Sequence, residues 1–170
     1  MEYFYKFLLT IPTSVFVLIS ALIAIHSLKQ SRVLQIQKNT LEFDGQHVSN
    51  KELIKAYGTL TKITENNLSK SADQYLISLI EEKKHCDDSN SIRYILNTWE
   101  RVARGMKHGA YNEDMLYEAF KTLVLRIHST TKVFRTETQK NYPSSWACFD
   151  DMAYRWAKRK AKEDNPRKFF

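Results

Sequence analysis

Residues 91–107 read SIRYILNTWERVARGMK. Ile92, Ile95, Leu96, Trp99, Val102, Ala103 and Met106 recur at three- and four-residue steps, the spacing of one face of an α-helix. Arg93, Asn97, Glu100, Arg101 and Arg104 take the other side. This is the strongest period in the chain, and it sets the centre of an all-α fold. Ser89 or Ser91 is the expected N-cap, and His108-Gly109 the expected stop. Asn112, followed by Glu113 and Asp114, opens a second helix bearing Leu116, Ala119, Phe120, Leu123 and Ile127. So short a connection predicts antiparallel neighbours, with Trp99 facing Phe120 and Leu123.

Towards the N-terminus, Ser49 and Glu52 have capping-box spacing ahead of Leu53, Tyr57, Leu60 and Ile63. Ser71 and Gln74 repeat the box ahead of Leu76, Leu79 and Ile80. That segment is expected to end at Lys83-Lys84, with a loop at His85-Cys86-Asp87-Asp88. Towards the C-terminus, Pro143-Ser144-Ser145 marks another helix start, with Trp146, Phe149, Ala153, Trp156 and Lys160 on one face. Arg155, Lys158, Arg159 and Lys162 line the opposite face. Pro166 ends that helix before a basic-aromatic tail, Arg167-Lys168-Phe169-Phe170.

Composition agrees with long helices. There are 4 glycines and 3 prolines in 170 residues, and two cysteines, too few for a disulfide scaffold. Hydrophobic residues make up 43 %, enough for a core. The mean hydropathy of −0.47 averages two unlike regions. Residues 7–28, FLLTIPTSVFVLISALIAIHSL, hold no Asp, Glu, Lys or Arg. A bilayer core needs roughly 20 such residues. A cleaved signal peptide fits less well: the apolar run is about 19 residues against the usual 7–15, and no A-x-A site follows. Lys6 precedes the span, whereas Lys29, Arg32 and Lys38 follow it, which places the short N-terminus outside and the body in the cytoplasm, at the inner (plasma) membrane. The expected plan is an external N-terminus at 1–6, a transmembrane helix at 7–28, and a stalk and linker at 29–50 with a turn at Asp44-Gly45. A bundle of about five helices at 51–163 and a tail at 164–170 complete it. Ser20 and Ala24 have the small-xxx-small spacing of associating membrane helices, which points to a homo-oligomer.

The segment from Ile95 to Gly109 reads as a hydrophobic turn, Asn97, Glu100, Ala103, then Gly105 and Gly109, ahead of the acidic start at Asn112-Glu113-Asp114. It resembles family 4760 of the domains of unknown function, a bacterial and phage family of small membrane-anchored proteins. The detailed likeness covers about 20 residues, from Ile95 to Leu116. The rest is a likeness of layout. The resemblance implies one N-terminal membrane helix and a helical cytoplasmic body, with phage exclusion or defence as a setting, but no activity.

Asn97, Glu100 and Arg104 form the candidate polar site. Three readings apply: a polar site, a solvated Glu100–Arg104 pair, or struts that fix the central hairpin. No nucleophile with its base, phosphate loop or metal-ligand spacing accompanies them, so no catalytic residue, metal or cofactor is expected. His26, His47, His85, His108 and His128 lack a second ligand at metal spacing. The net charge is +7, and residues 155–168 hold seven cations against Glu163 and Asp164. Arg155, Lys158, Arg159, Lys162, Arg167 and Lys168 are accordingly a solvated face, or candidates to contact anionic lipid or nucleic acid. The leading expectation is a membrane-anchored, non-enzymatic interaction or sensor protein whose partners are membrane lipid and an unidentified protein. The alternative is a membrane-tethered nucleic-acid binder using the basic C-terminal helix.

Overall fold

The structure is a computed structural model that describes residues 13–66, 70–81 and 87–165. The aromatic N-terminal flank, the Lys83-Lys84 ending, the His85-Cys86 loop and the tail with Arg167 and Lys168 lie outside the described residues. Ser71, expected to cap a helix, falls within one, and its side chain is outside them too. Among the described residues there are seven helices and no strand. They are α1 (Thr13–Ser49), α2 (Lys51–Asn66), α3 (Lys70–Glu81), α4 (Asp87–Lys107), α5 (Glu113–Thr130), α6 (Lys132–Asn141) and α7 (Ala147–Asp164). The chain divides into two units, Met1–Lys38 and Asn39–Phe170.

In the first unit, α1 is long and apolar enough to cross a membrane. Its large apolar side chains from Val15 to Leu28 are exposed on every side, Val17, Leu22 and Leu28 each by about two thirds.

The second unit begins earlier than expected, inside α1. Residues 40–49, read as a linker with a turn at Asp44-Gly45, are helical. Thr40, Phe43 and His47 lie on one face, and Thr40 and His47 are buried. Packing of that face outweighs the roughly 1 kcal/mol helix cost of Gly45, whose Cβ position is open space. The capping residue shifts in consequence. Ser49 is still helical and donates back to the carbonyls of Gly45 and Gln46. Asn50, the single non-helical residue between α1 and α2, caps α2 by accepting the Leu53 amide at 3.0 Å.

α4 starts at Asp87, two residues before Ser89, which is buried within the helix and accepts from Arg93. Its apolar stripe is buried as read, with Ile92, Ile95, Leu96 and Trp99 wholly enclosed. It ends as expected. Gly109 has φ +70°, its amide bonds to Met106 O, and the Ala110 amide bonds to Gly105 O at 2.8 Å, a Schellman ending. Asn112 then caps α5 through the Met115 amide at 3.0 Å.

The antiparallel hairpin is only partly realised. Trp99 and Phe120 meet edge to face at 5.4 Å. However, α4 packs closely on α2 and α7, and α5 packs on α7. Phe43 and His47 of α1 each contact both the Trp99 and Phe120 rings. The buried face of α5 is Leu116, Tyr117, Phe120, Val124 and Ile127, with Leu123 partly buried against it, whereas Ala119, expected on that face, is exposed. The expected count of helices omitted α6. With neither Gly nor Pro present, the break before it falls at buried Thr131, whose amide and hydroxyl both bond to Ile127 O.

Candidate functional site

Asn97, Glu100 and Arg104 act on the corner between α6 and α7, not on the α4–α5 turn. Trp146, the residue before α7, sits in the left-handed region at φ 56° and offers no side-chain cap. α4 supplies the missing groups. Asn97 Oδ1 accepts the Trp146 indole N–H at 2.9 Å. Glu100 Oε2 accepts the Phe149 amide at 2.8 Å, one of the orphan donors of the first turn of α7. Its other oxygen pairs with Arg104 at 3.1 Å. A buried carboxylate against a helix N-terminus is favoured by the helix dipole as well as by the hydrogen bond.

The rest of the corner is equally bonded. Arg135, 4 % exposed, pairs with Asp150 Oδ1 and donates to Thr131 Oγ1 and His128 O. Gln139 donates to Asp150 Oδ2 and Ser145 O, both at 2.8 Å. Burial pulls the Arg135 guanidinium down to about 10, which leaves it charged at neutral pH. His128 Nε2 lies 3.3 Å from Asp150 Oδ1, but that oxygen already serves Arg135. Burial, then the charges of Arg135 and Lys132, pull His128 down to about 4. Sequence reasoning named none of Thr131, Arg135, Gln139 or Asp150. An Arg on a helix face is ordinarily solvated, and only the tertiary packing of α6 turns this one inward.

The basic face of α7 is largely engaged within the chain. Arg155 pairs with Asp151 and with Glu113 of α5. Arg159 pairs with Asp114, Glu118 and Glu163 and lies over the Tyr117 ring at 3.9 Å. Lys158 and Lys162 are exposed on the same helix. Ser20 and Ala24 are exposed on α1, in the first unit. Of the two cysteines, Cys148 is a partly buried free thiol, and Cys86 lies outside the described residues.

A second polar cluster lies where the end of α1 meets α2 and α4. Trp99 Nε1 donates to the Tyr57 hydroxyl at 2.9 Å, and that hydroxyl lies 3.3 Å from His47 Nε2. The Tyr57 oxygen has two lone pairs, so it accepts from the indole and either donates to His47 Nε2 or accepts from it, according to the imidazole tautomer. His47 Nδ1 is buried with no hydrogen-bond partner among the described residues. Burial, opposed by the Asp44 charge, pulls His47 below its ordinary value and keeps it neutral. Burial likewise pushes Tyr57 up, out of reach of physiological pH. His47 lines a cavity of about 250 Å³, together with Phe43, Gln46, Tyr94, Arg101 and Tyr111. Gly105 makes room for this wall, since a Cβ there would fall 2.6 Å from the Tyr111 ring.

Among the described residues, no group of three or more His, Cys, Asp or Glu is placed to hold a metal ion. Compared with curated proteins and with solved structures, the chain has no match. A family model described as "Domain of unknown function (DUF4760)" matches residues 14–156, a span holding the apolar helix, the bonded corner and the cavity, and the chain therefore belongs to that family.

Proposed function

We propose that this is a membrane-anchored, non-enzymatic interaction or sensor protein, with its N-terminus outside and residues 39–170 in the cytoplasm at the inner membrane. The observation that carries the reading is the apolar surface from Val15 to Leu28, exposed around the helix. Soluble chains rarely leave so large an apolar area bare, whereas hydrocarbon covers it at no cost. Lys29, Arg32 and Lys38 support the orientation. The polar residues of α4 support a non-enzymatic role, because Asn97 and Glu100 are engaged in holding α7. Engagement of Arg155 and Arg159 with acidic side chains leaves fewer cations for nucleic acid. Self-association through Ser20 and Ala24, an unidentified protein partner and a role in phage exclusion belong to the same reading, the last resting on the family resemblance alone.

Alkaline carbonate extraction and protease treatment of spheroplasts test it. The expected result is a chain that stays in the membrane pellet, dissolves only in detergent, and resists protease until the cells are lysed. Release by carbonate would refute the anchor, and digestion in intact spheroplasts would reverse the orientation. Cross-linking of wild type and Ala24→Leu tests self-association, and identical monomeric migration of both would end that part.

A further inference from the structure

The cavity beside His47 has a consistent electrostatic character. Among the described residues, no Asp or Glu lines it. Asp44, whose charge acts on His47, is not part of the wall, and Glu42 lines the neighbouring space that shares Phe43, Gln46 and Tyr111. Arg101 is exposed at this wall and makes no ion pair among the described residues, in contrast to Arg104, one turn along, which is held by Glu100. Tyr94 accepts from Asn50 at 3.1 Å, which leaves its own hydroxyl proton to donate. His47 Nδ1 is a buried polar atom with no hydrogen-bond partner among the described residues, a defect that ordinarily costs about 1–3 kcal/mol. Two kinds of donor, the Arg101 guanidinium and the Tyr94 hydroxyl, thus border one space whose described wall holds no carboxylate. One side of the wall is aromatic, with the Phe43 and Tyr111 rings in contact at 5.9 Å. A dry cavity of about 150 Å³ holds one benzene ring, so about 250 Å³ holds a ring with its acid group.

We infer that the cavity between the end of α1 and α4 is a binding site for a small aromatic carboxylate, its acid group on Arg101 and Tyr94 and its ring against the Phe43–Tyr111 pair. Charge-assisted hydrogen bonds to a guanidinium are strong and directional, and the aromatic walls select a flat apolar body. This inference goes beyond the membrane reading and does not depend on it. α1 nevertheless carries both the cavity wall and the apolar stretch.

The test uses the full chain in nanodiscs of zwitterionic phosphatidylcholine, titrated calorimetrically with benzoate, benzamide and inorganic phosphate. Benzoate is expected to bind about tenfold or more tighter than benzamide, the worth of one charged contact. Arg101→Gln should bring the two within about twofold. In the indole N–H spectrum, the Trp99 resonance should move on binding, because Trp99 reaches His47 through Tyr57, while those of Trp146 and Trp156 stay in place. No saturation with benzoate by about 10 mM would overturn the proposal. So would benzoate affinity that Arg101→Gln leaves unchanged. Phosphate binding as tightly as benzoate would overturn the aromatic half of the assignment.

Discussion

Glu100 and Arg101 are consecutive residues of α4, yet they serve regions built in contrasting ways. Glu100 faces the corner between α6 and α7, where it holds the Phe149 amide and Arg104. The corner side chains Asn97, Arg135, Gln139 and Asp150 likewise have protein partners at bonding distance. Arg101 faces the cavity, where its guanidinium, the Tyr94 proton and His47 Nδ1 have none among the described residues. Buried polar groups that satisfy one another fix architecture, because each has a single low-energy arrangement. Donors left over around a void are instead available to something outside the chain. The residue types at the two places are alike, and only the bookkeeping of donors and acceptors separates them.

The largest expected effect lies where the cavity network enters the core. Trp99 is fully buried and bonds to Tyr57. Trp99→Ala should cost about 3–5 kcal/mol, as for other buried aromatics, read from denaturant unfolding of the full chain in micelles by the remaining tryptophans. Stability unchanged within error would mean that this network is peripheral. In the corner, Arg135→Met strips Asp150 of its charged partner. Breaking a buried pair costs about 3–5 kcal/mol, and the partial exposure of Asp150 points to the low end, near 3. A loss below about 1 kcal/mol would show the corner to be decoration.

The pH response of the corner follows from His128. Its folded pKa of about 4 lies below the ordinary 6.5, so the unfolded chain binds the proton more readily. The stabilising contribution of the neutral ring is complete above about pH 6.5, is lost as pH falls towards 4, and changes no further below that. His47, lowered in the same direction, adds to the slope. Urea midpoints at about pH 7, 5.5 and 4 should fall, and His128→Gln should flatten the decline. An equally steep fall in that variant would assign the response elsewhere. A smaller effect is expected at Gly109, whose φ of +70° penalises any side chain. Gly109→Ala should cost about 1 kcal/mol, with no change in the cavity.

Much of this was legible in the sequence. The period from Ile92 to Met106, the Gly109 stop and the Asn112 cap are local signals, and each appears as read. The apolar helix was legible because length and uncharged continuity need no tertiary context. What stayed hidden depends on distant partners. Asp44-Gly45 has the composition of a turn, and only Phe43 against Trp99 and Phe120 explains why the helix continues. The roles of Asn97 and Glu100 as struts were among the readings open at the outset. Their targets lie 49 residues along the chain, at the left-handed Trp146, which no local rule anticipates. Thr131 ends α5 by a hydroxyl and a buried environment, where a sequence reader looks for Gly or Pro. His47 was noted only for its lack of a ligand partner, because a void has no sequence signature.

The adjacency of Glu100 and Arg101 allows the contrast to be tested in one measurement: unfolding midpoint and benzoate affinity determined side by side for Glu100→Ala and Arg101→Gln in the full chain. Glu100→Ala orphans the Phe149 amide and removes the cap of α7, so it should cost about 2 kcal/mol and leave benzoate affinity within twofold of wild type. Arg101→Gln should keep the wild-type midpoint and lose about tenfold or more in affinity. If Arg101→Gln unfolded the protein while Glu100→Ala alone abolished binding, the corner would be the site and the cavity a packing defect.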